Sequence, residues 1–215
     1  MVYGWFHPGG DWNHNARHDQ IRSIVEQGRL DIDDYLLYLL EPRADGSLTY
    51  RRLPLVTGSP SEADLAPRLP RLNTLDISIA DGHYYPNKAP GVTLLSVPGY
   101  GLIYAIMRLL GLDPDDWWVL TLGSHFTTLL FVSLVSALGG PIFYAAVTGL
   151  FPEASERVRI CAALTYGLGT LVMAYSTHLV DHGPVAALGL LSFHWARSAS
   201  MPMMAPWRSL MLKGA

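Results

Sequence analysis

Residues 117–152 read WWVLTLGSHFTTLLFVSLVSALGGPIFYAAVTGLFP, 36 positions without one formal charge. A surface helix of a soluble protein carries charged residues on its watery face, and this run has none to offer. As one straight helix it would measure roughly 50 Å at about 1.5 Å per residue. A bilayer's hydrocarbon core is about 30 Å thick, so the run must tilt, protrude or break. Gly139-Gly140-Pro141 is the place where a break is expected. Trp117 and Trp118 stand where an aromatic belt would put them.

The neighbouring sequence repeats the pattern. Ala89–Met107 gives 19 residues without a formal charge and Ile160–Val180 gives 21, and about 20 apolar residues cross a bilayer as a helix. The expected fold is an all-α integral membrane protein, a multi-pass helical bundle behind a long polar N-terminal loop. Spans are expected at residues 90–110, 117–150 and 158–177, with a shorter one at 184–196 and an irregular tail over 198–215. Charged residues are only 15% of the chain and most lie before Lys88; with a net charge of −3 the composition points away from nucleic acid. The single cysteine, Cys161, excludes an internal disulfide and reads as a small buried hydrophobe. Met1–Gly10 has neither the basic nor the apolar region of a secretory signal. The loop over residues 1–88 is therefore expected to be inserted by the downstream helices or by a span preceding it.

Within that loop a helix is expected from Asn13 or Asn15 to Gln27, with Gly28 ending it. Its apolar stripe, Ile21, Ile24 and Val25, is thin and suits a juxtamembrane helix. Pro42, Pro54, Pro60, Pro67 and Pro70 make residues 42–75 a long loop. Asp81-Gly82 signals a tight turn, and Pro90 suits the first turn of the following helix. His14 and His18, spaced i, i+4, face one side of a helix, but no clear third metal ligand accompanies them. Asp31, Asp33 and Asp34 read as a solvated turn. His125 reads as a packed, hydrogen-bonded histidine, and His182 as part of an interfacial turn or cavity.

Two stretches carry a resemblance: Gly-Gly-Asp-Trp-Asn-x-Asn-x-Arg over residues 9–17, and Asp-Gly-His-Tyr-Tyr-x-x-Lys-Ala-Pro-Gly over the stretch 81–91. Together with the later Leu168-Gly169-Thr170 and Tyr175-Ser176-Thr177, their order resembles the bacterial GT-C membrane glycosyltransferases, relatives of protein O-mannosyltransferases and lipid A aminoarabinose transferases. The resemblance covers residues 9–35 and 76–195. It implies transfer of a sugar from a polyprenyl-phosphate carrier to a hydroxyl acceptor at the extracytoplasmic face of a bacterial inner membrane, with residues 1–88 extracytoplasmic. It implies membrane lipids as neighbours, allows a divalent cation and requires no other cofactor. Such chemistry needs a carboxylate as general base, and cations to meet the departing lipid phosphate. The pattern's acidic pair before Arg17 is absent here, so the base falls to Asp11 or Asp19. Arg17, Lys88, His83 and Tyr85 are the expected phosphate- and substrate-binding residues. Lys88 also suits a plain snorkelling anchor. Such enzymes hold more spans than this chain, which is expected to be an N-terminal fragment. The rival expectation is a non-enzymatic transporter or lipid-binding membrane protein using the same cations for an anionic headgroup.

Overall fold

The computed structural model describes residues 11–36, 38–46, 48–52 and 73–211. The expectations for Met1–Gly10 and for the proline-rich residues 53–72 lie outside these. The chain is mostly helical and forms two compact units, one from residues up to Ser133 together with Thr177–Asp181, the other from Leu134–Ser176 together with the residues from His182 onward.

In the first unit, helix α1 (Trp12–Arg22) begins ahead of both Asn13 and Asn15, where its start was expected. Asp11 is the N-cap, its carboxylate accepting the backbone N–H of His14 at 2.7 Å, which satisfies one of the helix's open donors. A single wide turn, Ser23–Gln27, follows, and Gly28 closes it at φ 71°, a left-handed conformation natural to glycine. Residues expected to be loop instead pair as two short antiparallel hairpins: β1 (Tyr38–Pro42) with β2 (Leu48–Arg52), and β3 (Ile77–Ala80) with β4 (His83–Pro86). The all-α expectation missed both. Asp81 and Gly82, both at positive φ, make the turn between β3 and β4, the geometry that matches strand twist.

Helix α2 (Gly91–Leu109) and helix α3 (Trp117–Thr128) pack side by side. Gly99 lies so close to Phe131 that a methyl group there would overlap the ring. Ile21 of α1, Val92 and Tyr100 of α2, Val132 and Leu179 form one core, and Ile32, Leu36 and Tyr84 form a second. Burying each large aliphatic side chain contributes about 1.5–3 kcal/mol.

The second unit contains α4 (Leu134–Ala137), α5 (Gly139–Leu150), α6 (Glu156–Leu168), α7 (Leu171–Tyr175) and α8 (His182–Met211). Where a break was expected, the long apolar run has only a one-residue irregularity at Leu138, which keeps helical dihedrals and bonds to both Leu134 and Ile142 along the backbone. The span expected at 158–177 is two helices: α6 stops at Gly169, and Thr170 caps α7 by accepting the N–H of Val172. The tail expected to be irregular is helical as far as Met211. Cys161, expected inside, is exposed on α6. Phe143 stacks on Tyr166 at 4.9 Å, joining α5 to α6, and α8 packs against α5 with Arg197 donating to the Gly149 carbonyl.

Two helical stretches, Gly91–Leu109 and the 34-residue run Trp117–Leu150, are long and apolar enough to cross a membrane. A buried core helix of a soluble protein passes the same test. Here, however, Leu94, Leu102, Ile106 and Leu109 of α2 all face outward, Leu109 being 85% exposed. The threonine hydroxyls of α3 are satisfied locally: that of Thr127 donates to the Gly123 carbonyl at 2.7 Å, and that of Thr128 to the Ser124 carbonyl at 3.0 Å.

Candidate functional site

The first unit turns the usual partition around at α1. His14, Arg17, His18, Asp19 and Arg22 are all buried, although their sequence resembles a solvated helix face. Each has a defined environment. Arg22, fully buried, donates to Glu26 at 2.7 Å and to Asp115 at 2.8 Å, and its guanidinium lies over the Tyr35 ring. Glu26 also accepts the hydroxyls of Tyr100 at 2.7 Å and Tyr35 at 3.1 Å. Asp19 accepts from the Asn73 amide with both oxygens, at 2.8 and 2.7 Å. It is 2% exposed, so an acceptor hydroxyl has little access to it.

Asp11 differs. Its side chain is 53% exposed; one oxygen caps α1 and the other lies 3.3 Å from Nδ1 of His178. His178 belongs to the turn after α7, which lies along one face of α1. Leu179 donates its backbone N–H to Nδ1 of His14 at 3.1 Å, and Asp181 lies 3.4 Å from Arg17. Asp11, His14 and Arg17 are spaced by three residues, which puts them on neighbouring turns of one helix face.

The His14 contact fixes a tautomer. Because Nδ1 accepts an N–H, it carries a lone pair, and the ring proton sits on Nε2, 2.6 Å from the Ser124 hydroxyl. A neutral imidazole in that tautomer donates to Ser124 and does not withdraw its proton. The His14–Ser124 pair is therefore a buried structural hydrogen bond rather than an activated nucleophile.

Arg17 joins this face to the start of α2. Its Nε donates to Asn13 at 2.9 Å, and a terminal nitrogen donates to the Ala89 carbonyl at 2.7 Å. Burial lowers its pKa, against the opposing pull of Asp181 and Asp76, and an arginine stays charged regardless. Lys88, next to Ala89, pairs with Asp76 at 3.1 Å. The N-terminus of α2 that follows has no side-chain cap.

The remaining expected site residues lie elsewhere in the same unit. His83, at the β3–β4 turn, contacts Asp33 at 2.7 Å, and that hydrogen bond, followed by the charge of Asp33, raises its pKa. Tyr85 is half-buried on β4, on the opposite strand face from the core residue Tyr84. Asp31, Asp33 and His83 offer ligand atoms within 4.8 Å of one another. Arg29 already supplies positive charge there, 2.8 Å from Asp31 and within 3.6 Å of Asp33 and Asp34. Burial lowers the Arg29 pKa, but Asp31, then Asp34 and Asp33, outweigh it and raise it. The three acids form an arginine-knit cluster rather than the solvated turn expected.

The structure thus brings Asp11, Arg17 and the Lys88–Ala89 junction around one face of α1, and leaves Asp19, His83 and Tyr85 apart. Sequence reasoning missed His178 and the role of Asp181. Neither sits in a recognisable spacing with α1, and the one signal was a cluster of polar residues after an apolar stretch. No family model, no curated protein and no solved structure matches this chain.

One further feature bears on membrane topology. The Leu110–Asp116 turn after α2 is gripped by residues that precede α2: Arg43 pairs with Asp113 at 2.7 Å and Asp116 at 2.8 Å, and Thr49 bridges Asp116. A helix of 19 residues is roughly 28 Å long. If α2 spans a bilayer, its ends face opposite aqueous phases. A spanning α2 and these contacts exclude each other.

Proposed function

We propose that the protein is a multi-pass membrane glycosyltransferase of the GT-C type, moving a sugar from a polyprenyl-phosphate carrier to a hydroxyl acceptor at the extracytoplasmic face of a bacterial inner membrane. The observation that carries the reading is the buried guanidinium of Arg17, which ties the Asp11 face of α1 to Ala89 at the mouth of α2. An exposed carboxylate and a lysine beside an uncapped helix N-terminus are thereby held by one strut. Asp11 is the general base, since Asp19 is buried beneath Asn73. Lys88, which pairs with Asp76 at 3.1 Å, turns its remaining N–H donors to the lipid phosphate, aided by the backbone N–H groups at the uncapped start of α2. Arg17 positions the two rather than binding substrate, because its guanidinium is already engaged. In this reading the acceptor oxygen attacks the sugar's anomeric carbon as its proton passes to Asp11. The bond from that carbon to the phosphate oxygen breaks, and polyprenyl phosphate departs as an anion.

A lipid-binding or transport protein is the second reading. It is favoured by the structural duty of Asp11, whose carboxylate caps α1 whether or not chemistry occurs. The full chain in proteoliposomes loaded with a polyprenyl-phosphate-linked hexose separates the two. Asp11→Asn, which keeps a cap, should lower release of polyprenyl phosphate by about 10²–10⁴-fold, the usual contribution of a general base. Lys88→Ala should weaken carrier binding with the fold intact. Carrier binding without release in the wild-type chain would decide for the second reading.

A further inference from the structure

The turn after α7 seats Leu179 in the core, and it also brings an imidazole to the exposed carboxylate that opens α1. Nδ1 of His178 is sealed from solvent yet has no aligned hydrogen bond among the described residues, while Oδ2 of Asp11 lies 3.3 Å away. Such near-contacts commonly tighten when substrate binds. Neither of the histidines on α1 is available for this work: His14 is committed to Ser124 and Leu179, and His18 packs edge-on against Tyr100.

We infer that His178 is the positioning residue for the Asp11 carboxylate, donating from Nδ1 to Oδ2. This inference rests on the transferase reading and adds a group to it. The cap from His14 holds one carboxylate oxygen and His178 would hold the other. Each oxygen has a second lone pair, so the carboxylate is fixed in rotamer while one lone pair of Oδ2 remains for the acceptor's proton. The two contacts come from opposite ends of the sequence, so the base is ordered only when the turn after α7 is docked on α1.

The test uses the full chain in proteoliposomes with the same polyprenyl-phosphate-linked hexose. His178→Ala should lower kcat about tenfold and leave KM within about twofold, the pattern of a lost transition-state interaction. His178→Asn, whose amide places a donor near the position of Nδ1, should recover most of the loss; His178→Phe, which restores only bulk, should not. Recovery by Phe and not by Asn, or an unchanged kcat in His178→Ala, overturns the inference. If the wild-type chain shows no transfer, the transferase reading fails on its own, and a thermal-denaturation cycle over Asp11→Asn, His178→Ala and the double variant decides the pairing. Tm losses that overlap in the double variant support the contact, and losses that simply add refute it.

Discussion

Helix α1 and helix α2 pack against each other and obey opposite rules. On α1, a polar segment buries two histidines, two arginines and an aspartate; on α2, an apolar segment turns Leu94, Leu102, Ile106 and Leu109 outward. In water this arrangement would cost twice, once for each desolvated charge and again for each wetted leucine. With hydrocarbon around α2 the second cost vanishes. The first is met by pairing: Arg22 with Glu26, Arg17 with Asp181, Asp19 with Asn73. The contrast teaches that α2 turns an apolar surface outward while α1 keeps its charges inside.

The sharpest way to break the contrast is topological. In a Cys161→Ser background, single cysteines at Ala44 and at Leu112, which is exposed beside Asp113, can be probed with a membrane-impermeant maleimide in oriented vesicles. If α2 spans, the two sites label from opposite sides, an all-or-none difference, and the Arg43–Asp113 and Arg22–Asp115 contacts are absent in the membrane. Labelling from one side preserves those contacts and removes α2 from the set of spans. The next effect in size is at Arg22. Truncation to Ala leaves Glu26 buried with an uncompensated charge, a loss of about 3–5 kcal/mol, measurable as unfolding free energy in detergent. A loss below about 1 kcal/mol would show that α1 is solvated, and the contrast with α2 would collapse.

The smallest effect lies at the edge of the polar region. The pKa of His83 is raised above its ordinary value of about 6.5 by Asp33. The imidazolium therefore stabilises the docked β3–β4 turn in full below about pH 6.5, and that contribution is lost as pH rises through the raised midpoint. A histidine NMR titration should give a His83 midpoint that falls when Asp33 is replaced by Asn. An unmoved midpoint would mean that the docked turn owes nothing to the imidazolium and is held by the contacts of the Tyr84 backbone to Asp33 and Ile32.

Those features that one kind of local chemistry decides were legible in the sequence. The absence of charge marked both long apolar stretches, Gly28 marked the end of the first helical segment, and Asp81-Gly82 marked a turn because both positions need positive φ. What was not legible depended on partners distant in the chain. Asp11 looks like a free acid until the N–H of His14 is seen to cap on it, and Arg17 looks solvated until Ala89 and Asp181 are placed around it. Cys161 looks buried because apolar company implies an interior, an inference that fails where the outside of a helix is itself apolar. The division at Gly169-Thr170 was hidden because threonine serves equally well as a cap and as a span residue.

The contact between His14 and Leu179 joins residues separated by 165 positions. A ribosome adding about 5–20 residues per second needs on the order of 10–30 s to cover that distance. Throughout that interval α1 exists with its face toward Thr177–Asp181 uncovered. The last step in assembling the first unit is thus the arrival of one late turn, and a chain halted before Thr177 would keep its acid, its imidazole and its guanidinium open to the wrong partners.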